Sequence, residues 1–136
     1  MQVAKKLGIK EGIRAIFINA PAEAIAAIDP PSLDIASELS GSFDYIHLFV
    51  KSLRELDNNF PKLKAHLKPT GTLWISWPKN RQLGTDLTLT KIINIGYSHG
   101  LVESKCVGID LTWSALKFTN PKKGKVYNNS YGQLKS

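Results

Sequence analysis

The chain has 136 residues, of which 43% are hydrophobic and 21% are charged, and its formal net charge is +7. This length indicates one domain, and the composition is that of a globular protein that builds its core without a disulfide or metal. An acidic, solvating protein is excluded, whereas anionic partners stay open.

The positive charge is unevenly distributed. Residues 121–136 contain four lysines and no acidic residue, whereas residues 1–120 contain 14 basic and 11 acidic residues. We predict a single α/β domain over residues 1–120 and a basic, largely disordered tail over residues 121–136, which is rich in Lys, Asn, Gly and Ser. The net charge therefore describes the tail more than a binding face.

Cysteine and hydropathy patterns exclude several classes of protein. Cys106 is the only cysteine, so no intrachain disulfide and no cysteine-based zinc site forms. We expect Cys106 to be a small buried hydrophobic residue. No signal peptide and no apolar run of about 20 residues is found, so we expect a cytoplasmic protein without a membrane partner.

The first half of the chain alternates apolar runs with helical patterns. Residues 14–19 predict a short strand, and Pro21 stands at the first position of a helix over residues 22–28. Residues 33–39 hold a short second strand. Residues 43–50 form the clearest strand, because the run is rich in aromatic and aliphatic side chains.

The second half continues this alternation. Ser52 and Glu55 form a capping box at the start of a helix in which Pro61 implies a kink, or a new helix capped by Asn59. We further predict a turn over residues 68–71, a strand over 72–77, a helix over 87–99 capped by Thr85 or Asp86 and ended by Gly100, and a hairpin of strands 102–110 and 112–119.

This order of elements predicts a three-layer, Rossmann-like α/β fold. Alternating strands and helices form a mostly parallel sheet with helices on both faces, and the C-terminal hairpin adds an antiparallel strand. The link between residues 39 and 43 is too short for a crossover helix. Either the second strand is very short or the connection is an extended loop.

Several segments resemble known proteins. The chain resembles the second half of a class I methyltransferase core. The segments that carry this resemblance are residues 43–49, the capped helix, residues 67–76, the next helix, Gly100 and the hairpin. Residues 6–118 are also similar to a small bacterial family known as a domain of unknown function, through residues 6–10, 19–21, 43–50, 76–79, 84–87 and 110–114. The resemblance implies a methyltransferase-like Rossmann fold with no established activity, although Thr70 replaces a glycine that is frequent in such proteins.

The loop after the first strand argues against a bound cofactor. Dinucleotide and S-adenosylmethionine sites use glycines there, so that the ligand approaches backbone N–H groups at a helix start. Residues 19–22 contain no glycine, and Pro21 removes a donor. Glu38 has the spacing of a ribose-binding acid or is a solvated charge. The region of a third strand and its helix is also missing, so we expect no cofactor and no methyl transfer.

Candidate site residues come from the carboxyl ends of the predicted strands, where open α/β sheets bind ligands. Lys79 meets an anion in this interpretation, and two tryptophans stack on a flat ring. In the alternative, Asp86 is only a helix cap, the tryptophans only cover the sheet end, and Lys79 pairs with Asp110. The candidate ligand-binding residues are Asn19, Trp77, Lys79, Asp86, Asp110 and Trp113.

No catalytic residue or metal site is predicted. His47 lies inside the central strand, where a hydrogen-bonded core histidine is favoured over a general base. His66 and His99 lie near helix ends, which favours surface roles. No serine has the pattern of a nucleophile elbow, and no histidines and carboxylates have metal-ligand spacing.

Three functional hypotheses follow. The first is a non-catalytic binding module that takes a small anion or a protein partner at the carboxyl edge of the sheet. The second is a small enzyme with an unfamiliar site at the same edge, and a nucleotide is one substrate that this hypothesis allows. The third is a nucleic-acid-associated protein that uses a basic helix face. A solvated face is the commoner explanation of such a run, and no aromatic residues are interleaved. This face comprises Lys51, Arg54, Lys62, Lys64 and Lys68.

Overall fold

A computed structural model describes residues 3–122, so most of the predicted tail lies outside the described residues. The described part contains six strands, four α-helices and a short 3-10 segment, Lys79–Gly84. The strands are β1 (Arg14–Ile18), β2 (Asp34–Ile35), β3 (Phe43–Phe49), β4 (Leu67–Pro78), β5 (Val102–Gly108) and β6 (Trp113–Thr119). The helices are α1 (Val3–Lys6), α2 (Ala22–Ile28), α3 (Leu53–Ala65) and α4 (Leu89–Ser98).

The six strands form one sheet in the order β2-β1-β3-β4-β6-β5. The first four are parallel, whereas β6 is antiparallel to β4 and to β5. The mostly parallel sheet with a C-terminal antiparallel hairpin is therefore confirmed. Because the strands β1, β2, β3 and β4 are parallel, their carboxyl ends lie at the same edge of the sheet.

Two hydrophobic clusters cover the two faces of the sheet. Ala24 and Ile28 of α2 pack with Tyr45 on one face, and Leu56 of α3 packs with Leu48 on the other. Strand β3 contributes to both clusters, which explains why its sequence is almost continuously apolar. The predicted three-layer architecture is thus confirmed.

The short link before β3 has both features that the sequence allows, a very short second strand and an extended loop. Strand β2 has only two residues, and residues 36–42 connect it to β3 without a helix. Ala36 N–H still donates to the Ala15 carbonyl, 2.9 Å away, so the pairing with β1 continues one residue beyond β2.

Strand β4 begins earlier than the sequence predicts. Leu67 pairs with Phe43, and a register irregularity follows between Phe43 and Tyr45. Residues 68–71, predicted as a turn, therefore belong to an irregular strand. A Cβ atom on Gly71 would lie 2.9 Å from the Phe43 carbonyl oxygen, so this close approach of two backbones needs glycine.

Two helix predictions are corrected. Helix α3 continues through Pro61, and Asn59 does not cap a new helix, because its Nδ2 donates to the Glu55 carbonyl at 2.7 Å. Helix α4 begins later than predicted: Thr88 is its N-cap and accepts from Lys91 N–H at 3.4 Å. The predicted end is confirmed, since Gly100 has φ 86° and Leu101 N–H donates to the Gly96 carbonyl.

Cys106 is exposed rather than buried, which corrects the sequence-based expectation. It lies on β5, the outermost strand, where residues 104–106 are all exposed. An edge strand has a neighbour on one side only, so its central residues are less covered than those of β3. The short helix α1 is also absent from the sequence-based prediction.

Candidate functional site

The order of the strands creates a crevice between the ends of β1 and β3. From β1 the chain proceeds to β2 on one side, and it then returns to β3 on the other side. Helices α2 and α3, which follow β1 and β3, pack on opposite faces of the sheet. Loops that leave in opposite directions open a crevice at such a switch point, and ligands of open α/β proteins bind there.

A cleft of about 520 Å³ lies at this switch point. Its walls come from the turn after β1, the start of α3, the β5–β6 turn and the loop after β4. This volume is in the range of small-molecule sites. The lining includes Asn19, Glu23, Phe49, Lys51, Glu55 and Trp113. We call this the switch-point cleft.

The turn after β1 is built without glycine. Asn19 has φ 59°, in the left-handed region that asparagine tolerates better than most residues. Pro21 is the N-cap of α2 rather than its first residue, and no side chain caps this helix. The strand–turn–helix geometry is therefore retained, while the proline leaves one N–H group fewer facing the cleft.

Backbone N–H groups at the start of α3 already donate to side chains of this protein. Ser52 Oγ accepts from Glu55 N–H at 3.1 Å, and Glu55 Oε1 accepts from Lys51 N–H at 3.3 Å. The predicted capping box is confirmed, although the glutamate reaches one residue further back. Asp86 Oδ1 accepts from Leu53 N–H at 2.8 Å. Asp86 is therefore a cap, but for α3 rather than α4.

The β5–β6 turn forms the opposite wall and is held by several bonds. Asp110 Oδ1 accepts from Thr112 N–H and Trp113 N–H at 2.8 and 2.7 Å. Lys79 Nζ donates to the Asp110 main-chain carbonyl at 2.7 Å. Lys79 and Asp110 are thus paired, but through a carbonyl and not through an ion pair, because the carboxylate is turned into its own hairpin.

The structure separates the two tryptophans. Trp77 and Trp113 are 6% and 4% exposed, and they belong to the clusters on opposite faces of the sheet. Trp113 packs edge-on against Phe49, with ring centroids 5.2 Å apart. Since the two indoles face away from each other, they cannot stack on the same ligand.

The predicted residues are therefore divided among three neighbouring hollows. Asn19, Asp110 and Trp113 line the switch-point cleft. Trp77 and Lys79 line a hollow beside Leu89, and Asp86 lines another beside Lys91. All of them lie at the carboxyl edge, but only the first three share one cavity.

Sequence reasoning did not assign the two glutamates and the lysine of the cleft. Lys51 lies two residues beyond the end of β3, so its position close to a strand end is a signal that could have included it. Glu23 and Glu55 lie in the first turns of α2 and α3. Helices that start at the switch point bring their first turns to the crevice, which identifies these positions once the strand order is known.

A buried polar chain lies beneath the cleft floor. The Tyr45 hydroxyl is 2.7 Å from His47 Nδ1, and His47 Nε2 is 2.6 Å from Ser76 Oγ. Phe49 stacks on the His47 ring with centroids 4.5 Å apart. Full burial lowers the pKa of His47 to about 3, and burial raises the pKa of Tyr45 well above its usual range. His47 is therefore a neutral, hydrogen-bonded core histidine, as predicted.

The other two histidines cap helices. His66 Nδ1 is 2.6 Å from the Gly41 carbonyl, and His99 Nε2 is 2.8 Å from Asp57 Oδ1. Both are C-cap residues, of α3 and α4. Among the described residues, no group of three or more His, Cys, Asp or Glu side chains could hold a metal ion.

The basic run near α3 is partly neutralised by contacts. Lys64 Nζ donates to the His99 carbonyl at 2.6 Å, and Lys68 Nζ lies 3.1 Å from Asp44 Oδ1. The pKa of Asp44 is lowered, mainly by the hydrogen bond from Arg14 N–H and also by Lys68. Lys64 and Lys68 are therefore both held by contacts within the fold.

No protein-family model matches the sequence, and no curated protein matches it. Solved structures do match. Magnesium protoporphyrin IX methyltransferase from Synechocystis, with bound SAH, is 11% identical with a TM-score of 0.61, and the match covers 88% of this chain and 80% of that one. A ribosomal protein L11 methylase from Lactobacillus delbrueckii subsp. bulgaricus is also 11% identical, with a TM-score of 0.60 and coverages of 88% and 75%.

A putative methyltransferase from Thermoplasma acidophilum is 12% identical with a TM-score of 0.57, and the match covers 89% of this chain and 73% of that one. At such identities the likeness concerns the fold alone. The chain thus has the methyltransferase-like Rossmann fold. Within residues 3–122, no helix is long and apolar enough to cross a membrane.

Proposed function

We propose that this chain is a non-catalytic binding module that holds a small ligand in the switch-point cleft. The observation that carries the proposal is the combination of an open cleft at the switch point with a β1–α2 turn that lacks glycine. The cleft supports binding, because this is where the fold accommodates ligands. The turn argues against the cofactor, because Pro21 stands where a backbone donor is needed.

The polar groups around the cleft support a role without catalysis. Ser52, Asp86 and Asp110 accept backbone hydrogen bonds, and Lys79 donates to a carbonyl. His47, the group best suited to general base catalysis, is fully buried and neutral. The residues with titratable side chains that line the cleft therefore act most simply as binding groups.

The charges of the cleft define the ligand that we propose. Lys51 is the cation of its lining, and Glu23, Glu55 and Asp110 are carboxylates of the same cleft, although Asp110 Oδ1 already accepts two N–H groups of its own turn. The two glutamates would repel a ligand with several negative charges. A small ligand with one anionic group can instead form an ion pair with Lys51. We therefore favour a small monoanion over a nucleotide polyphosphate.

A thermal-shift and calorimetric screen tests this proposal. The full chain is titrated with acetate, an amino acid, inorganic phosphate and a nucleoside triphosphate. A ligand at a hundredfold excess over its Kd should stabilise the fold by about 2.7 kcal/mol. We expect the two ligands with a single carboxylate, acetate and the amino acid, to bind the wild type, to bind Lys51→Ser weakly, and to bind the control Lys62→Ser normally. Equal binding by Lys51→Ser would contradict the proposed site.

One observation favours a second candidate function, S-adenosylmethionine-dependent methyl transfer. Two structures that match this chain, both of magnesium protoporphyrin IX methyltransferase, contain bound SAM or SAH. Calorimetry with SAH tests the candidate directly. SAH binding that is weakened by Glu55→Gln, but not by the exposed control Glu11→Gln, would favour this candidate over a non-catalytic module. No binding of SAH would leave the first proposal in place.

A further inference from the structure

The charged side chains of the switch-point cleft are of both signs. Its lining contains the cation Lys51 and the three carboxylates of Glu23, Glu55 and Asp110. Within residues 3–122, the Glu23 carboxylate and Lys51 Nζ have neither a hydrogen bond nor an ion-pair partner. Two opposite charges that share a cavity without pairing to each other are both available to a bound molecule.

The other two carboxylates are already engaged by the fold. Asp110 Oδ1 accepts from two backbone N–H groups of its own turn. Glu55 Oε1 accepts from Lys51 N–H at 3.3 Å. A carboxylate that already accepts N–H groups has less capacity for a new partner. Glu23 is therefore the acceptor that is most available to a cationic group of a ligand.

Glu23 and Lys51 lie on opposite walls of the cleft. Glu23 belongs to the first turn of α2, whose residue Ala24 packs on one face of the sheet. Lys51 precedes α3, whose residue Leu56 packs on the other face. The backbone of Lys51 is held there, because Thr85 Oγ1 donates to its carbonyl at 2.5 Å. A ligand that meets both charges therefore has to span the crevice.

Apolar side chains complete the lining of the cleft. Phe49 at the end of β3 and Trp113 at the start of β6 take part in it, as does Leu83, which is 58% exposed. Leu83 has φ 54°, and non-glycine residues in this left-handed region are concentrated at functional sites. A methylene chain that crosses the crevice can therefore lie against apolar surface, which favours its binding.

We infer that the ligand of the switch-point cleft is a small zwitterion whose ammonium and carboxylate groups are separated by methylene groups, as in an ω-amino acid. The carboxylate pairs with Lys51, the ammonium group pairs with Glu23, and the methylene spacer contacts Leu83. The inference rests on the proposed function, because it names the class of ligand for the same cleft. The ammonium group also compensates the charge of an anionic group that enters among three carboxylates.

Calorimetric titration of the full chain with matched ligands tests this inference. The ω-amino acids β-alanine, γ-aminobutyrate, δ-aminovalerate and ε-aminocaproate differ only in the length of the spacer. Each is compared with its α-amino acid isomer, in which the two charges lie side by side, and with the carboxylate of equal length that lacks the ammonium group. We expect at least one ω-amino acid to bind about fivefold more tightly than both of its matched ligands, the effect of one solvent-accessible ion pair.

Two variants assign the ends of the ligand. Glu23→Gln keeps the size of the side chain but removes its charge, and it should abolish the fivefold preference for the ω-amino acid. Lys51→Ser should weaken the binding of the ω-amino acid and of the plain carboxylate by the same factor. Glu11→Gln is the matched control, because Glu11 is exposed and lies outside the lining of the cleft, and it should retain the preference. Circular dichroism confirms that each variant is folded.

Two outcomes would overturn the inference and leave the proposed function in place. In the first, plain carboxylates bind through Lys51, but no ω-amino acid binds more tightly than its matched ligands. In the second, the preference persists in Glu23→Gln, which would assign the ammonium group to a different acceptor. If no carboxylate binds, or if Lys51→Ser binds all of them as the wild type does, the proposed function fails and the inference fails with it.

Discussion

His47 Nε2 lies 2.6 Å from Ser76 Oγ, and neither side chain has exposed surface. The two residues belong to the neighbouring strands β3 and β4, in the middle of the sheet. A neutral imidazole donates through one nitrogen and accepts through the other, so Tyr45 and Ser76 together satisfy both nitrogens of the ring. The buried polar chain thus lies beneath the switch-point cleft. Phe49, which lines the cleft, stacks on the His47 ring.

Removal of one partner should destabilise the fold. Ser76→Ala leaves His47 Nε2 buried without a hydrogen bond, which costs about 1–3 kcal/mol. Urea unfolding measures this loss. The control Ser98→Ala removes a hydroxyl that also makes a hydrogen bond, but on the surface, and it should change the stability by no more than about 0.5 kcal/mol. Equal losses of unfolding free energy in the two variants would show that the buried hydrogen bond contributes no more than the surface one.

The stability should fall with decreasing pH because of His47. Its pKa is near 6.5 when unfolded and about 3 when folded, so between these values only the unfolded chain takes up the proton. This contribution is fully present above about pH 6.5 and is lost as the pH falls toward 3, at about 1.4 kcal/mol per pH unit. The depressed pKa of Asp44 acts in the same direction, but only below its usual value of 3.8.

Unfolding free energies between pH 6 and 4.5 test this prediction, because Asp44 contributes little there. His47→Gln removes the titrating group and should flatten the pH dependence relative to the wild type, whatever its effect on the overall stability. A slope that persists unchanged in His47→Gln would show that other groups cause it.

Gly96 allows α4 to approach the sheet. A Cβ atom there would lie 2.0 Å from Phe118 Cε1, and the Phe118 side chain is fully buried against Phe60. Gly96→Ala should therefore destabilise the fold by about 1–3 kcal/mol, although alanine normally favours a helix. Thermal unfolding measures the change.

Gly108→Ala is the matched control for this site. Its nearest new contact is Lys79 Nζ at 4.0 Å, and Gly108 has no positive φ, so we expect little effect. Gly96→Ala combined with Phe118→Leu should be less destabilised than the sum of the two single variants, because the clash is relieved. Strict additivity would contradict the proposed contact.

Asp110 should stabilise the turn through its side-chain oxygen rather than its charge. Asp110→Ala removes the acceptor of two backbone N–H groups, and each such bond contributes about 0.5–1.5 kcal/mol. Asp110→Asn keeps an oxygen acceptor and should retain most of the stability. Urea unfolding compares the two variants. Equal losses in both would indicate that the charge matters.

Local patterns predict most of the fold. Three features have their physical cause within a few residues of sequence: the aromatic and aliphatic run of β3, the capping box at Ser52 and the left-handed Gly100. The boundaries that are wrong depend on distant partners. Leu67 becomes part of β4 because it pairs with Phe43, and Asp86 caps α3, 33 residues away in sequence, which no local pattern reveals.

The candidate site is only partly predictable for the same reason. The sequence by itself determines the alternation of strands and helices, and thereby the edge of the sheet where strand ends and helix starts meet. Only the tertiary structure decides which of these side chains share a cavity. Strands β4 and β6 pair Pro78 with Trp113 and Trp77 with Ser114. Because paired residues share a face and successive residues alternate, this register places the two tryptophans on opposite sides of the sheet.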